Sequence, residues 1–170
     1  EYLNSKNISF SKLIFKDLNY YLSLMVVDFL LHDIKYADLT NIKIQEAKGR
    51  FEIVNDSPIK IIDGAHNYEG VEILLRNYEN KYGHLNTDLF VGFKKGKDIN
   101  NIFNLIIGKT NYNLHLIEDD TFFDQEITKE IGYLLDKHGK NYKIASLEQF
   151  NRNKNPSILL GSLYLIGEYK

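Results

Sequence analysis

The chain has 170 residues, enough for one ordinary domain with a sizeable core, and its 44% hydrophobic and 26% charged residues are globular proportions. A net charge of -2 leaves no basic footprint for nucleic acid, and no apolar run approaches the roughly 20 residues needed to span a membrane. The absence of cysteine excludes disulfide scaffolds and thiolate zinc sites and fits a cytoplasmic protein.

The opening "EYLNSKNISF" has no basic stretch followed by an apolar one, so it does not read as a signal peptide. With Glu at residue 1, the chain is expected to be a piece of something longer. Leu18, Leu22, Met25, Val26, Phe29 and Leu30 recur at spacings of three and four, which predicts a helix with a broad apolar face. A linker with a short helical piece follows, which Thr40 or Asn41 can cap.

The pattern changes at Arg50. Residues 51–54 and 59–63 are short β-rich runs, and 67–82 is helical. Strand patterns at 87–93, 112–118, 142–145 and 157–160 then alternate with helical ones at 98–109, 124–139, 146–150 and 161–168. Asp98 stands near one helix start, and Gly139 closes another. The alternation predicts βαβ units and an α/β fold with a mainly parallel sheet. Pro58 and Pro156 each precede a predicted strand, where a missing N–H costs little. A division near residue 46 separates a front piece, 1–45, from a complete-looking α/β domain, 46–170.

The most specific stretch is "IIDGAHN", Ile61 to Asn67. Ligands of open α/β sheets bind at the carboxyl ends of the strands, and Asp63 falls at such an end. Gly64 permits a turn or a close approach, and Asn67 can cap the following helix, whose N–H groups face outward at its start. Asp63 suits ribose hydroxyls or a metal site, and His66 a carboxylate or phosphate. The same residues also serve an ordinary strand-to-helix junction, with Asp63 taking backbone N–H bonds and His66 exposed in the loop.

Other chemistries find less support. The G-x-x-x-x-G-K phosphate loop is absent, and "GFKKGKD" from Gly92 has the wrong spacing for it. Lys94, Lys95 and Lys97 read as a solvated basic turn first and a phosphate lure second. His32, His84, His115 and His138 are scattered and read as structural or solvent-facing, with His138 in the last turn of a helix. There is no G-x-S-x-G elbow, and the aromatics fall in core periodicities.

The stretch "GRFEIV", then "SPIKIIDGAHNYEGVEILL", and the ending "ILLGSLYLIGEYK" resemble the C-terminal domain of folylpolyglutamate synthases and dihydrofolate synthases, members of the Mur ligase superfamily. The family pattern is Pro-Gly-Arg-hydrophobic-Glu, then Asp-Gly-Ala-His-Asn-Pro, then Gly-Ser-Leu-Tyr-Leu-hydrophobic-Gly-Glu. Here Lys48 replaces the first Pro, Tyr68 the second, and Gly96-Lys97-Asp98 stands where Asp-Lys-Asp is usual. The front helix, with Asn19 near its start, resembles the last helix of the central ATPase domain.

This resemblance implies a Rossmann-like domain of an ATP- and Mg²⁺-dependent ligase. Such enzymes add L-glutamate to folate, or to dihydropteroate, through an acyl phosphate. It further implies that Asn19, Arg50 and Asp63 serve ATP, and that His66 and Ser162 hold the incoming glutamate. Ser162 suits a helix N-cap equally well. The phosphate loop and the metal ligands are expected upstream, in a central domain missing here, with a hinge around 34–48. The rival expectations are a Mur-type ligase for another amino acid and a free-standing nucleotide- or amino-acid-binding module.

Overall fold

Three central strand sequences, "IKIID", "TDLFV" and "SILL", are buried almost throughout. Strands apolar on both faces belong in the middle of a sheet covered on both sides. The computed structural model describes residues 22–23, 25–26, 47–118 and 125–169. The chain divides into two compact units, Glu1–Gln45 and Glu46–Lys170. In the first, Leu22, Ser23, Met25 and Val26 are helical. Asn19, the rest of the expected front helix and the linker up to residue 46 lie outside the described residues.

The second unit runs β1 (Glu52–Asp56), β2 (Ile59–Asp63), α1 (Tyr68–Tyr82), β3 (Thr87–Val91), α2 (Ile99–Ile107), β4 (Tyr112–Ile117), α3 (Gln125–Lys137), β5 (Tyr142–Ala145), α4 (Leu147–Arg152), β6 (Ser157–Leu160) and α5 (Leu163–Glu168). The strands form one sheet in the order β1-β2-β6-β3-β4-β5. β1 is antiparallel to β2, and every other neighbouring pair is parallel. The expected mainly parallel α/β sheet is therefore present. Its antiparallel edge follows from the short turn at Ser57-Pro58, since a parallel return needs a long crossover.

The pleat sorts the core into two layers. Ile61, Leu89, Val91, Leu114, Leu116, Ile158 and Leu160 face α1, α2 and α3, which contribute Leu74, Leu75, Ile102, Phe103 and Ile131 among others. Their neighbours Ile62, Phe90, Ile117 and Leu159 face the opposite side, where Phe150 of α4 and Leu165 and Ile166 of α5 cover them. Burying one such side chain stabilises the fold by about 1.5–3 kcal/mol, so the sheet register is strongly specified.

The amino edge of the sheet is clasped by polar contacts. Lys60 donates its Nζ to the carbonyls of Phe150, at 3.0 Å, and Asn151, at 2.5 Å. Asp88 collects the amides of Asn113, Asn153 and Asn155. His115 stacks on Phe90 with ring centroids 4.4 Å apart, a structural role as expected. The strand read at 87–93 stops at Val91, where its pairing with β4 and β6 ends; just beyond it, Gly161 comes so close to Gly92 that a Cβ there would overlap the Gly92 carbonyl.

Candidate functional site

Asp63 ends β2 and pairs in register with Leu160, the last residue of β6, two positions before Ser162. The two motifs therefore meet at the carboxyl ends of adjacent parallel strands. From β2 the chain passes to α1 on one face, and from β6 it passes to α5 on the other. Adjacent strands whose exits diverge mark the usual ligand position in open α/β sheets; here Leu163, the first residue of α5, packs over Gly64, where a Cβ would overlap its side chain.

Asp63 is 8% exposed and both its carboxylate oxygens are engaged. Oδ2 accepts the N–H of Phe51 at 2.7 Å, and Oδ1 accepts the N–H of Ala65 at 2.7 Å. Burial pushes its carboxyl above the ordinary range, against the opposing pull of these two N–H groups and of the Arg50 charge. Beside it, the Gly64 N–H donates to the Gly49 carbonyl at 2.8 Å, and the Gly49 N–H donates to Glu52 at 2.6 Å. These bonds fasten the Lys48–Phe51 turn to the Asp63 loop.

Within that turn Gly49 has φ +69° and Phe51 has φ +48°. A left-handed Phe is unusual and costs energy, and its N–H bond to Asp63 holds it there. Arg50, between them, is exposed. The turn thus presents a cationic fork on a backbone pinned to the Asp63 loop.

His66 is half-buried, and its Nδ1 lies 2.8 Å from the Gly64 carbonyl oxygen. Asn67 caps α1, its side chain accepting the Gly70 N–H at 3.0 Å. Ser162 is 6% exposed and caps α5, its Oγ accepting the Tyr164 N–H at 3.2 Å. The local, capping roles that the sequence offered for Asn67 and Ser162 are present, and so is the backbone-binding role offered for Asp63.

A further wall comes from the loop after β3. Lys94 Nζ stands 3.4 Å from the centroid of the Tyr164 ring, a cation–π contact that ties this loop to the first turn of α5. Lys95 pairs with Glu126 at 3.3 Å, both well exposed, and Asp98 caps α2. Lys95 thus fits the solvated basic turn that was expected. Lys94 does not, because an aromatic partner 70 residues away holds it.

The structure therefore gathers Arg50, Asp63, His66 and Ser162 at one sheet edge, while Asn19 lies outside the described residues. The left-handed Phe51 and the Lys94–Tyr164 contact have no signal in the sequence. A divalent cation does not fit the donor set. Asp63 spends both oxygens on N–H groups, and among the described residues no three acidic or histidine side chains converge. Among the described residues, too, no helix is long and apolar enough to cross a membrane.

No protein-family model matches the sequence, and no curated protein matches it. Solved structures do. Folylpolyglutamate synthase from Thermotoga maritima superposes with a TM-score of 0.64 at 21% identity, covering 78% of this chain and 34% of that one. The Mycobacterium tuberculosis enzyme complexed with ADP gives 0.70 at 15% identity, covering 86% and 37%. The bifunctional folylpolyglutamate/dihydrofolate synthase from Yersinia pestis, complexed with AMPPNP and a manganese ion, gives 0.54 at 18% identity, covering 78% and 35%. The chain spans about a third of the length of the solved structures it matches. Its fold is the α/β, Rossmann-like fold that folylpolyglutamate synthases carry over that third.

Proposed function

We propose that residues 46–170 are the C-terminal domain of an ATP-dependent amide ligase that joins L-glutamate to a folate or to dihydropteroate in the cytoplasm. On this reading residues 1–45 are the end of its central ATPase domain. The observation that carries it is the meeting of the Asp63–Asn67 loop and the Gly161–Tyr164 segment at the carboxyl ends of adjacent parallel strands, in a fold shared with folylpolyglutamate synthases. Nucleotides bound in two of those structures support ATP as co-substrate.

In this ligase ATP phosphorylates the acceptor carboxylate, and the glutamate amine displaces phosphate from the acyl phosphate. Arg50 meets the ATP phosphates, where its rigid fork pairs with two oxygens at once. Asp63 has used one lone-pair position on each oxygen for backbone and has one left on each for ribose hydroxyls. Asn19 serves the adenine side. His66 and Ser162 hold the glutamate. Mg²⁺ would neutralise phosphate charge when bound, and on this reading its ligands belong to the upstream part.

The test compares two proteins. The 170-residue chain alone is expected to release no phosphate in response to folate and glutamate. The chain extended by its upstream coding frame, carrying a Gly-Lys-Ser or Gly-Lys-Thr phosphate loop, is expected to do so. Arg50→Ala in the longer protein should lower kcat/KM on the order of 10²-fold. Turnover by the short chain would overturn the division of labour. Equal turnover with other amino acids would point to a Mur-type ligase of different specificity.

One observation favours a second reading. These 170 residues contain no phosphate loop, as a free-standing nucleotide- or amino-acid-binding module would not. Calorimetry distinguishes the two, since that module binds ATP or glutamate tightly without the upstream part.

A further inference from the structure

Leu163 is 48% exposed, so it is no core residue, yet its side chain rests on the backbone of two separate loops. A Cβ on Gly64 would overlap its Cδ2 and lie 2.8 Å from its Cγ. A Cβ on Gly49 would lie 3.8 Å from the same Cδ2, and 2.9 Å from Cγ2 of Ile166, one turn further along α5. These two glycines are the pair joined by the Gly64 N–H and the Gly49 carbonyl at 2.8 Å. One side of α5 therefore lies directly on that hydrogen bond. Apolar cover lowers the local dielectric and excludes competing water, which strengthens a backbone bond beneath it. Ser162, the preceding residue, turns its hydroxyl elsewhere, to the Tyr164 N–H. Two neighbours in sequence thus serve different partners.

We propose that Leu163 is a positioning residue for Arg50: it seals the bond that fastens the Lys48–Phe51 turn to the Asp63 loop, and so acts on the nucleotide side of the site. The inference rests on the ligase reading above. Arg50 is exposed and follows Gly49 directly, so its direction is set by its backbone and not by packing of its own side chain. That backbone is held by the Gly49–Gly64 bond on one side of Arg50 and by the Phe51–Asp63 bond on the other. Leu163 covers the first of the two. Glycine is needed at 49 and 64 because any larger residue there would push α5 away and open the bond to water. The bland alternative is ordinary packing, in which Leu163 adds a little stability and has no bearing on one substrate more than another.

Amide hydrogen exchange in the 170-residue chain reads the seal without any ligand. Leu163→Ala removes the cover and puts the best helix former at the start of α5. The Gly64 amide should then exchange on the order of tenfold faster, while the Val71 amide, bonded to the Asn67 carbonyl at the start of α1, should not change. In the chain extended by its upstream coding frame, the same variant should raise KM for ATP roughly tenfold and leave KM for glutamate within about threefold. Leu163→Met keeps the apolar volume and should restore both readouts. An unchanged Gly64 amide, or equal rises in the two KM values, overturns the assignment and leaves Leu163 as packing. A wild-type longer protein that uses neither ATP nor glutamate overturns the ligase reading, and the role toward Arg50 with it, even where the Gly64 amide responds as expected.

Discussion

The carboxylate of Asp63 holds the backbone N–H of Phe51 at 2.7 Å, twelve residues back along the chain. Through that bond the end of a buried strand keeps Phe51 at φ +48° and sets the direction of Arg50 just before it. Asp63→Asn replaces one oxygen by an NH₂ group, so one of the two N–H donors now faces another donor. The expected cost is about 1–3 kcal/mol, read as a lower urea midpoint. If the proposed ligase function holds, KM for ATP in the longer protein should rise as well, because Arg50 loses its fixed mount. An unchanged midpoint would show that the clasp contributes nothing.

Ser162 has a structural duty, capping α5 through the Tyr164 N–H, and a proposed one toward glutamate. Two variants separate them. Ser162→Ala should lose about 1 kcal/mol of stability and raise KM for glutamate. Ser162→Asn caps as well as serine, so it should restore the stability while KM stays raised. Recovery of both in the Asn variant would assign Ser162 to the cap alone.

Gly161 sits at φ +120°, where a Cβ would run into the Gly92 carbonyl. The obstacle is backbone of the neighbouring strand's exit and cannot turn aside as a side chain would. Gly161→Ala should cost about 2–4 kcal/mol from strain and overlap together. Gly139→Ala is the control, with φ +63° but nothing within 4 Å of its Cβ, and should cost less. Equilibrium unfolding of both variants checks the order.

Acid should weaken the domain in two stages. Asp88 is buried, which pushes its carboxyl up, but the amides of Asn113, Asn155 and Asn153 and the charge of His115 outweigh this and leave it below the ordinary value. Its stabilisation is therefore complete above about pH 4 and is lost as pH falls through the lower folded-state value. His115 is pushed down chiefly by burial, against the raising influence of Asp88. The folded ring binds a proton less readily than the unfolded one, so stability starts to fade below roughly pH 6.5. Urea midpoints followed against pH should lose the upper stage in His115→Gln and the lower stage in Asp88→Asn. A pH profile unchanged in both variants would reject this account.

Much of the architecture was legible because its signals are local. Asn67, Asp98, Ser146 and Ser162 cap helices, and each does so by accepting an N–H two or three residues ahead, within reach of any reading of neighbouring residues. The strand and helix alternation was legible for the same reason, since its periods of two and 3.6 are written along the chain. The strand predicted at 87–93 ran two residues too long, because its end is set by its partner β6, which stops at Leu160 opposite Val91.

The amino-acid order alone was enough for an α/β domain after residue 46, the apolar set that fills it, and the motif residues Arg50, Asp63, His66 and Ser162. Only the tertiary structure decided that β6 inserts between β2 and β3, so that Asp63 and Ser162 stand at the ends of adjacent parallel strands. It alone also turned Phe51 left-handed onto Asp63 and laid Lys94 on Tyr164. Periodicity and capping act over a few residues, whereas strand order and carboxylate partners are settled by which distant surfaces can be buried together. That is a competition among long-range contacts, and it leaves no mark on any short stretch of sequence.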